Sequence, residues 1–442
     1  MAHIIQRCLT ANSTPYPTEQ IFDNLLQSRA EIALALIQRL VEAHAHGSDF
    51  RNLLVPAWKS ALYRNVGYEA AITNDDLHYW RTTLCTVLLA LQFHIGSGWK
   101  PLASVSSTPG ELLKHTEHVI SEIIDIVTVV IGNGLTSVVT AILDQKQAEM
   151  QHRSVKETID VEVKDITLVL NTLETVLRMS RLPEFSNQMS ERLLSTGAPQ
   201  SAIRLYLFSH LLTDIETGNE PIYAVLATRL MVSFSTLQQV AEEMAVEGVM
   251  SQVLTARVTQ AIQKTQDGVG HLDQRPHCPV LYSTWSGGIL PLALNLLHAV
   301  RAPIAAEIST FINTFPEQLR RISAGFKAKP DEFITLAAAK EVAALSLISF
   351  VLDDYRQAGA SVGVDPTMVL PLAGFDEHKK SVVEDLKELI GLKMDVLKAK
   401  IVPTSEKELA WHREDKLVEK VLAELKSAVL CLETEAMDGD QS

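Results

Sequence analysis

The feature that most constrains this chain is the spacing of its apolar residues, which is helical over nearly its whole length. One clear series recurs at steps of three and four and is ended by Gly96; its members are Leu77, Trp80, Leu84, Leu88, Leu91 and Ile95. Comparable patterns follow one another almost to the C-terminus, and no stretch reads convincingly as a strand. We therefore predict an all-α chain of about fifteen helices joined by short turns.

Two helix starts illustrate the local signals. The stretch "IDVEV" alternates apolar and acidic residues like a strand, but residues 155–177 keep helical steps over the longer range. Ser154 and Glu157 form a capping box before them, so we predict one helix of about 40 Å there. The stretch "SEKE" at 405–408 predicts the start of a single final helix.

The fold class follows from this run of helices. We predict a right-handed superhelical α-solenoid of irregular HEAT/armadillo-like helical repeats, because a single-core bundle of 442 residues would be unusual. No fixed-period consensus of the tetratricopeptide or ankyrin kind is visible. We expect residues 1–433 to form this one solenoid, with 264–284 as a long loop and 434–442 as a disordered acidic tail.

Charge and cysteine usage exclude several classes of function. The chain has 39 basic and 53 acidic residues and a net charge of −14, which disfavours binding to nucleic acid or to an anionic membrane surface. Its four cysteines are far apart, without a CxxC pair, which favours a reducing compartment. The N-terminus has no hydrophobic signal core.

Two apolar stretches are long enough to be tested as membrane spans. Residues 123–143 carry Asp125 and contain "GNG", so we predict two buried helices that meet at a turn. Residues 333–352 have Lys340 and Glu341 at their middle, which the centre of a bilayer would penalise. We therefore predict a soluble protein with no direct transmembrane span.

Motifs for cofactors and metals are weak. The pairs "GVG" and "GNG" lack the further residues of a phosphate-binding loop, so we interpret them as turns. Potential metal ligands occur as His115 with His118 and in "HLDQRPHC" at 271–278, but neither group has the second ligand pair of a zinc site. We predict no cofactor and no metal.

The stretch "YSTWSGGILPLALNLLHAV" at 282–300 supports two hypotheses about Ser286. A catalytic nucleophile elbow needs a glycine two positions before the serine and a preceding strand, whereas Thr284 stands there. Pro291 fits only in the first turn of a helix, so we predict a hinge, a buried helix that starts near Gly288, and Trp285 folded back over that start. We predict no enzymatic activity; an all-helical hydrolase that uses Ser286 is the rival hypothesis.

A longer stretch around this serine carries a family resemblance. "CPVLYSTWSGGILPLALNLLHAVRAPIAAEISTFINTFPEQL" at 278–319 resembles the C-terminal tail of the large inner-ring scaffold nucleoporins, more the one-eighty-eight type than its sister one-ninety-two type. The resemblance implies that this chain is the tail of a much larger α-solenoid protein of the nuclear pore complex at the nuclear envelope. It also implies a scaffold role that supports nucleocytoplasmic transport, and it brings no catalytic residues.

The resemblance further implies a partner, a short helix of the linker nucleoporin of the inner ring. Phenylalanine-glycine repeats are a further possible partner, since the family is related in architecture to importin-type receptors. A partner helix lays apolar anchors into a strip of aromatic and aliphatic side chains, and the candidates in the C-terminal third are Phe326, Phe333, Phe350, Tyr355 and Phe375. The alternative is that each of them is ordinary core.

A different function class fits the same composition. An importin-like soluble nuclear transport receptor is also acidic and built from helical repeats, so charge and periodicity do not separate it from a scaffold. Binding of the small transport GTPase would favour the receptor.

Overall fold

The structure is a computed structural model in which the chain divides into two compact units, 1–205 and 206–442. It describes residues 4, 8, 19–42, 74–96, 120–121, 123–125, 127–151, 161–179, 182–213, 221–263, 278–326, 333–363 and 365–439.

The first unit is built from packed helices. In chain order they are α1 (Glu19–Glu42), α2 (Asn74–Gly96), α3 (Gly134–Met150), α4 (Val163–Leu177), α5 (Leu182–Ser195) and the start of α6 (Ala198–Leu212). Helix α1 packs along α2, and α2 packs along α4. The predicted series on α2 faces the core, since Leu77, Leu84 and Leu91 are at most 2% exposed.

The second unit continues in the same way. After α6 its helices are α7 (Ile222–Ser235), α8 (Gln238–Val246), α9 (Val249–Thr255), α10 (Arg257–Gln263), α11 (Cys278–Thr284), α12 (Leu290–Val300), α13 (Ala305–Asn313), α14 (Pro316–Ala324), α15 (Leu336–Ala358), α16 (Lys379–Ile390), α17 (Met394–Lys400), α18 (Glu406–Arg413) and α19 (Lys416–Gly439). Helix α15 packs along α19 and against α12, which in turn contacts α7 and α8. The described residues contain one isolated parallel bridge, between Ile334 and Ile401, and no strand.

A continuous helix occupies the first candidate membrane span. A π-helical segment, Val127–Asn133, leads directly into α3, so the predicted turn at "GNG" is wrong. Gly132 instead lies against a neighbouring side chain, because a Cβ atom there would stand 2.4 Å from Thr196 Oγ1. The helix 123–150 is long and apolar enough to cross a membrane by length and composition, yet 59% of its most apolar window is buried, as in a core helix of a soluble protein.

The predicted hinge before α12 is also wrong. Helix α11, the π-helical segment Trp285–Ile289 and α12 follow one another without a break. The N–H of Leu290 donates to the carbonyl of Trp285, five residues earlier, as in a π-helix. Pro291, which has no N–H to donate, follows directly at the start of α12 and does not interrupt this bond. Residues 278–284 of the predicted loop 264–284 are therefore helical, and residues 264–277 lie outside the described residues.

Three helix boundaries differ from the predictions. Helix α4 begins only at Val163, because the side chain of Asp165 accepts from the N–H of extended Glu162 and closes a capping box. The single final helix is two helices, α18 and α19, separated at Asp415 with φ 61°. Helix α19 reaches Gly439, so most of the predicted disordered tail is helical.

Candidate partner-binding site

The five candidate aromatic residues lie in different environments. Phe326 and Phe375 are 3% and 0% exposed, which makes them part of the core. Phe350 and Tyr355 on α15 are half-buried, and Phe333 is 61% exposed. A role in partner binding stays a prediction for these aromatic residues. Because Phe326 and Phe375 are buried, the side chains that a partner could contact are Phe333, Phe350 and Tyr355.

Tyr355 lies in the last turns of α15 and faces the connection between α12 and α13. Partial burial raises the pKa of its hydroxyl, the positive charge of Arg301 lowers it and the negative charge of Asp354 raises it. Arg301 is exposed and adopts φ 65° and ψ −138°, a backbone conformation that glycine favours. The exposed guanidinium of Arg301 thus lies close enough to the phenol to influence its ionisation.

An ordered loop, residues 365–375, runs along α13. The N–H of Leu370 donates to Ser309 Oγ at 3.0 Å. One turn further along the helix, Asn313 Nδ2 donates to the Pro371 carbonyl and Asn313 Oδ1 accepts from the Ala373 N–H, both at 2.8 Å. The loop and α13 run in the same direction, since Leu370 bonds to Ser309 and Ala373 bonds to Asn313. Loop residues before Leu370 therefore lie towards the N-terminal end of α13.

The beginning of this loop meets the C-terminal end of α15. A Cβ atom at Gly359 would stand 2.9 Å from Pro366 Cγ, so the proline packs directly on the glycine. Gly359 has φ 47°, and its N–H donates to the Tyr355 carbonyl. Met368 is 60% exposed and Leu370 is 41% exposed, and both follow Pro366 along the loop.

These observations define one surface at the junction of the α12–α13 connection, the end of α15 and the loop. We call it the Arg301 surface, and its residues are Arg301, Tyr355, Pro366, Met368 and Leu370. Sequence reasoning found only Tyr355, because exposed loop residues have no periodicity that would mark them. The only sequence signal at Arg301 is that it lies two residues before a proline.

A buried charged cluster lies beneath the family stretch. The carboxylate of Glu341, 0% exposed, accepts from Tyr282 Oη at 2.6 Å and from Trp285 Nε1 at 2.7 Å. Arg321 donates to both of its oxygens at 2.5 and 2.7 Å, and its guanidinium lies 4.9 Å from the Tyr282 ring centre. A buried carboxylate is stable only when it is paired and hydrogen-bonded in this way.

The serine stretch is buried beside this cluster. Burial and the negative charge of Glu341 raise the pKa of Tyr282 well above its usual range, while Arg321 lowers it. Ser286 is 6% exposed, and its Oγ donates to the Tyr282 carbonyl at 2.9 Å. Trp285 does not fold back over a helix start; it is fully buried, with its ring 4.4 Å from that of Phe315. The hydroxyl of Ser286 therefore has a structural partner inside its own helix.

The metal candidates receive no structural description. His115, His118 and residues 271–277 lie outside the described residues. Within the described part of the chain, no group of three or more His, Cys, Asp or Glu side chains is arranged to hold a metal ion.

Successive packed helices, joined by buried polar contacts and without a strand among the described residues, define an all-α protein of the helical-solenoid class. A sequence model described as "Nuclear pore protein NUP188 C-terminal domain" matches residues 53–436. The chain therefore belongs to the family of NUP188 C-terminal domains, and the predicted family resemblance is confirmed.

Individual relatives agree with this assignment. Nucleoporin NUP188 of Chaetomium thermophilum is 24% identical over 439 residues, covering 92% of this chain and 22% of the relative. Nucleoporin NUP188 of Saccharomyces cerevisiae is 22% identical over 250 residues, covering 55% and 14%. The chain thus spans about a fifth, or less, of the length of these relatives.

A solved structure shows the same fold. A fragment of Nup188 from Myceliophthora thermophila superposes with a TM-score of 0.64 at 21% identity, covering 86% of this chain and 98% of the fragment. The predicted all-α solenoid class is confirmed by this likeness. The family and the relatives are nuclear pore proteins, so the predicted localisation at the nuclear pore complex in the nuclear envelope is confirmed as well.

Proposed function

We propose that this chain is a scaffold segment of the inner ring of the nuclear pore complex that binds a short helix of a linker nucleoporin and so supports nucleocytoplasmic transport. The observation that carries the proposal is the family match over residues 53–436. It favours a scaffold over an importin-like receptor, because the match is to a nuclear pore protein over most of the chain.

Exposed apolar side chains support a binding role. Phe333, Met368 and Leu370 are each more than 40% exposed although the core of the second unit is well filled. A partner helix with apolar residues at i, i+3, i+4 and i+7 buries such side chains, and the gain is roughly 25 cal/mol per Å² of apolar surface removed from water.

A structural role also suits the chemistry of the buried groups. The carboxylate of Glu341 and the hydroxyl of Ser286 both already have partners within the fold. A carboxylate shared by a phenol, an indole and a guanidinium is arranged to hold helices together. We infer that this region does not perform catalysis.

The test is calorimetry of the purified chain with segments of linker nucleoporins from the inner ring. We expect a complex with one of these segments, no complex with the small transport GTPase, and no hydrolytic activity that depends on Ser286. Separate titration with a phenylalanine-glycine repeat peptide tests the second proposed partner. Binding of the GTPase without any linker segment would overturn the scaffold proposal in favour of the receptor.

A matched pair of variants makes this test specific. Phe333→Asp and Val246→Asp each place a charge at a strongly exposed apolar residue, 61% and 82% exposed respectively. Val246 lies at the end of α8, outside the C-terminal third of the sequence that contains the candidate residues. It therefore reports any general effect of an added charge on the complex. We expect Phe333→Asp to weaken the linker complex and Val246→Asp to leave it unchanged.

A further inference from the structure

We infer that the Arg301 surface is a docking site for a peptide segment of a partner protein that carries a carboxylate next to apolar side chains. The partner's carboxylate pairs with Arg301, and its apolar side chains cover Met368 and Leu370. The inference rests on the proposed function, since it names the surface and the chemistry of the partner segment.

The first argument is that the loop is held in place before any partner binds. Besides its hydrogen bonds to α13, the Leu372 N–H donates to Asp376 Oδ2 at 2.7 Å and the Met368 N–H to the Asp365 carbonyl at 3.0 Å. Val369 and Leu372 point into the core, at 1% and 0% exposed. The backbone is therefore fixed while Met368 and Leu370 face outwards, so a partner that covers them orders little additional chain.

The second argument is the charge and the conformation of Arg301. Its guanidinium is exposed and forms no ion pair with any residue that the structure describes. Its positive φ is strained for a residue with a side chain, although glycine would adopt it freely. A cation kept at such a position beside exposed apolar side chains is complementary to a carboxylate on a partner.

The third argument concerns the kind of apolar contact. Met368 is flexible and polarisable, so it adapts to partner side chains of different shapes. Tyr355 adds a half-buried ring with a hydroxyl at the edge of the same surface, and residues of this kind are enriched at the centres of interfaces. A segment with one carboxylate among apolar and neutral residues matches this combination, because a lysine there would meet Arg301 with the same charge. Further carboxylates on the segment would meet the exposed side chains of Asp354 and Asp365.

The test uses two synthetic helical peptides of about 20 residues with identical leucine positions at i, i+3, i+4 and i+7. One has a single glutamate next to the leucines and the other has a lysine at that position, and the remaining polar positions of both are glutamine. Fluorescence anisotropy with the full chain should show the acidic peptide binding at least about tenfold more tightly, with a difference that shrinks as salt increases.

Arg301→Gly is the decisive variant, because it removes the charge and the backbone strain together. We expect it to fold with equal or higher thermal stability and to bind the acidic peptide about tenfold less tightly. Arg301→Glu should prefer the lysine peptide, and Met368→Asp should weaken the acidic peptide, because it removes apolar contact and adds a negative charge. Lys380→Glu, at an exposed position on α16, should bind like the wild type.

The outcomes separate this inference from the proposed function. If a linker segment binds the wild type and Arg301→Gly equally well, the scaffold proposal stands and the docking site is elsewhere. If the acidic peptide binds in an Arg301-dependent way while no linker segment binds, the surface is right and the proposed partner is wrong. Concentration-dependent dimers that Met368→Asp abolishes would show that a second copy of the chain is the occupant, which overturns the inference.

Discussion

Two π-helical segments, one in each unit, each bring a glycine into close contact with a threonine, but only one of them also contacts a buried charge. In the first unit, Val127–Asn133 brings Gly132 against Thr196; in the second, Trp285–Ile289 brings Gly288 against Thr228. A Cβ atom would stand 2.4 Å from Thr196 Oγ1 in one case and 2.6 Å from both Thr228 Cβ and Thr228 Oγ1 in the other. In both places glycine permits a close approach, to the turn that follows α5 in the first unit and to α7 in the second.

The difference between them is the buried charge. The buried residues of the first segment are Val127, Val130, Ile131 and Gly132, all without a polar side chain. In the second, Trp285 donates to Glu341, which Arg321 neutralises. Close packing is therefore common to both segments, and the ion pair is an addition that fixes the orientation of the Trp285 side chain.

The first unit uses its own buried ion pair elsewhere. Arg81 on α2 donates to both oxygens of Asp165, at 2.6 and 2.7 Å, and Asp165 also caps α4 through the Glu162 N–H. A buried arginine–carboxylate pair thus stabilises the start of α4 in the first unit and the π-helical segment Trp285–Ile289 in the second.

The largest expected effect comes from breaking the second cluster. Glu341→Ala removes the carboxylate that accepts from Arg321, the Trp285 indole and the Tyr282 hydroxyl, so we expect the free energy of unfolding to fall by about 3–5 kcal/mol. Chemical denaturation followed by far-UV circular dichroism measures this loss. Lys340→Ala, at the exposed neighbouring position, is the control and should change stability by less than about 0.5 kcal/mol. Equal effects at the two positions would show that the cluster does not stabilise the fold.

A smaller loss is expected when the charge of the first pair is removed. Asp165→Asn keeps an oxygen that can accept from the Glu162 N–H but weakens the bonds from Arg81, so we expect a loss of about 1.5–3 kcal/mol. Glu162→Gln is the matched control, because its carboxylate is 51% exposed and its 3.8 Å contact with Arg81 is screened by solvent. A larger loss at Glu162 than at Asp165 would contradict the assignment of the buried pair.

The glycine contacts give a more direct comparison of the two segments. Gly132→Ala and Gly288→Ala should each cost about 1–2 kcal/mol, because overpacking outweighs the higher helix propensity of alanine. Thr196→Ala should relieve much of the first clash, since it removes the atoms at 2.4 and 2.8 Å and leaves Cβ at 2.9 Å. Thr228→Ala should relieve little, because Thr228 Cβ itself lies at 2.6 Å.

Denaturation of the four single and two double variants measures both coupling energies. A double-variant cycle with equal rescue in the two segments would show that they pack alike, contrary to this prediction.

These two segments also show how far sequence reasoning reaches. Apolar spacing predicted the helical class and the burial of the family stretch, because burial of one face of a helix repeats every three to four residues. It failed at "GNG" and at Pro291, where glycine and proline usually end helices. The close contact with Thr196 joins residues far apart in sequence, and the hydrogen bond from Leu290 that bypasses Pro291 belongs to a rare helix type.

The candidate site was less predictable for a related reason. Phe326, Phe375 and Phe333 are the same residue type, so their side chains alone do not distinguish them. The packing around them decides that Phe326 and Phe375 are buried and Phe333 is exposed. Glu341 was recognisable as a charge within an apolar helix, but its partners Tyr282, Trp285 and Arg321 come from other helices. Which charges meet in the core depends on tertiary contacts that one sequence does not display.

The smallest expected effect tests whether charge is the main difference between the two segments. Each has a hydroxyl that donates to the carbonyl four residues back in its own helix, Ser286 to Tyr282 and Thr128 to Ile124, both at 2.9 Å. Ser286→Ala and Thr128→Val should therefore each lower the free energy of unfolding by no more than about 1 kcal/mol, and by similar amounts. A much larger loss at Ser286, measured by the same denaturation assay, would mean that its hydroxyl belongs to the Glu341 cluster, and the chemical contrast between the segments would then extend beyond Trp285.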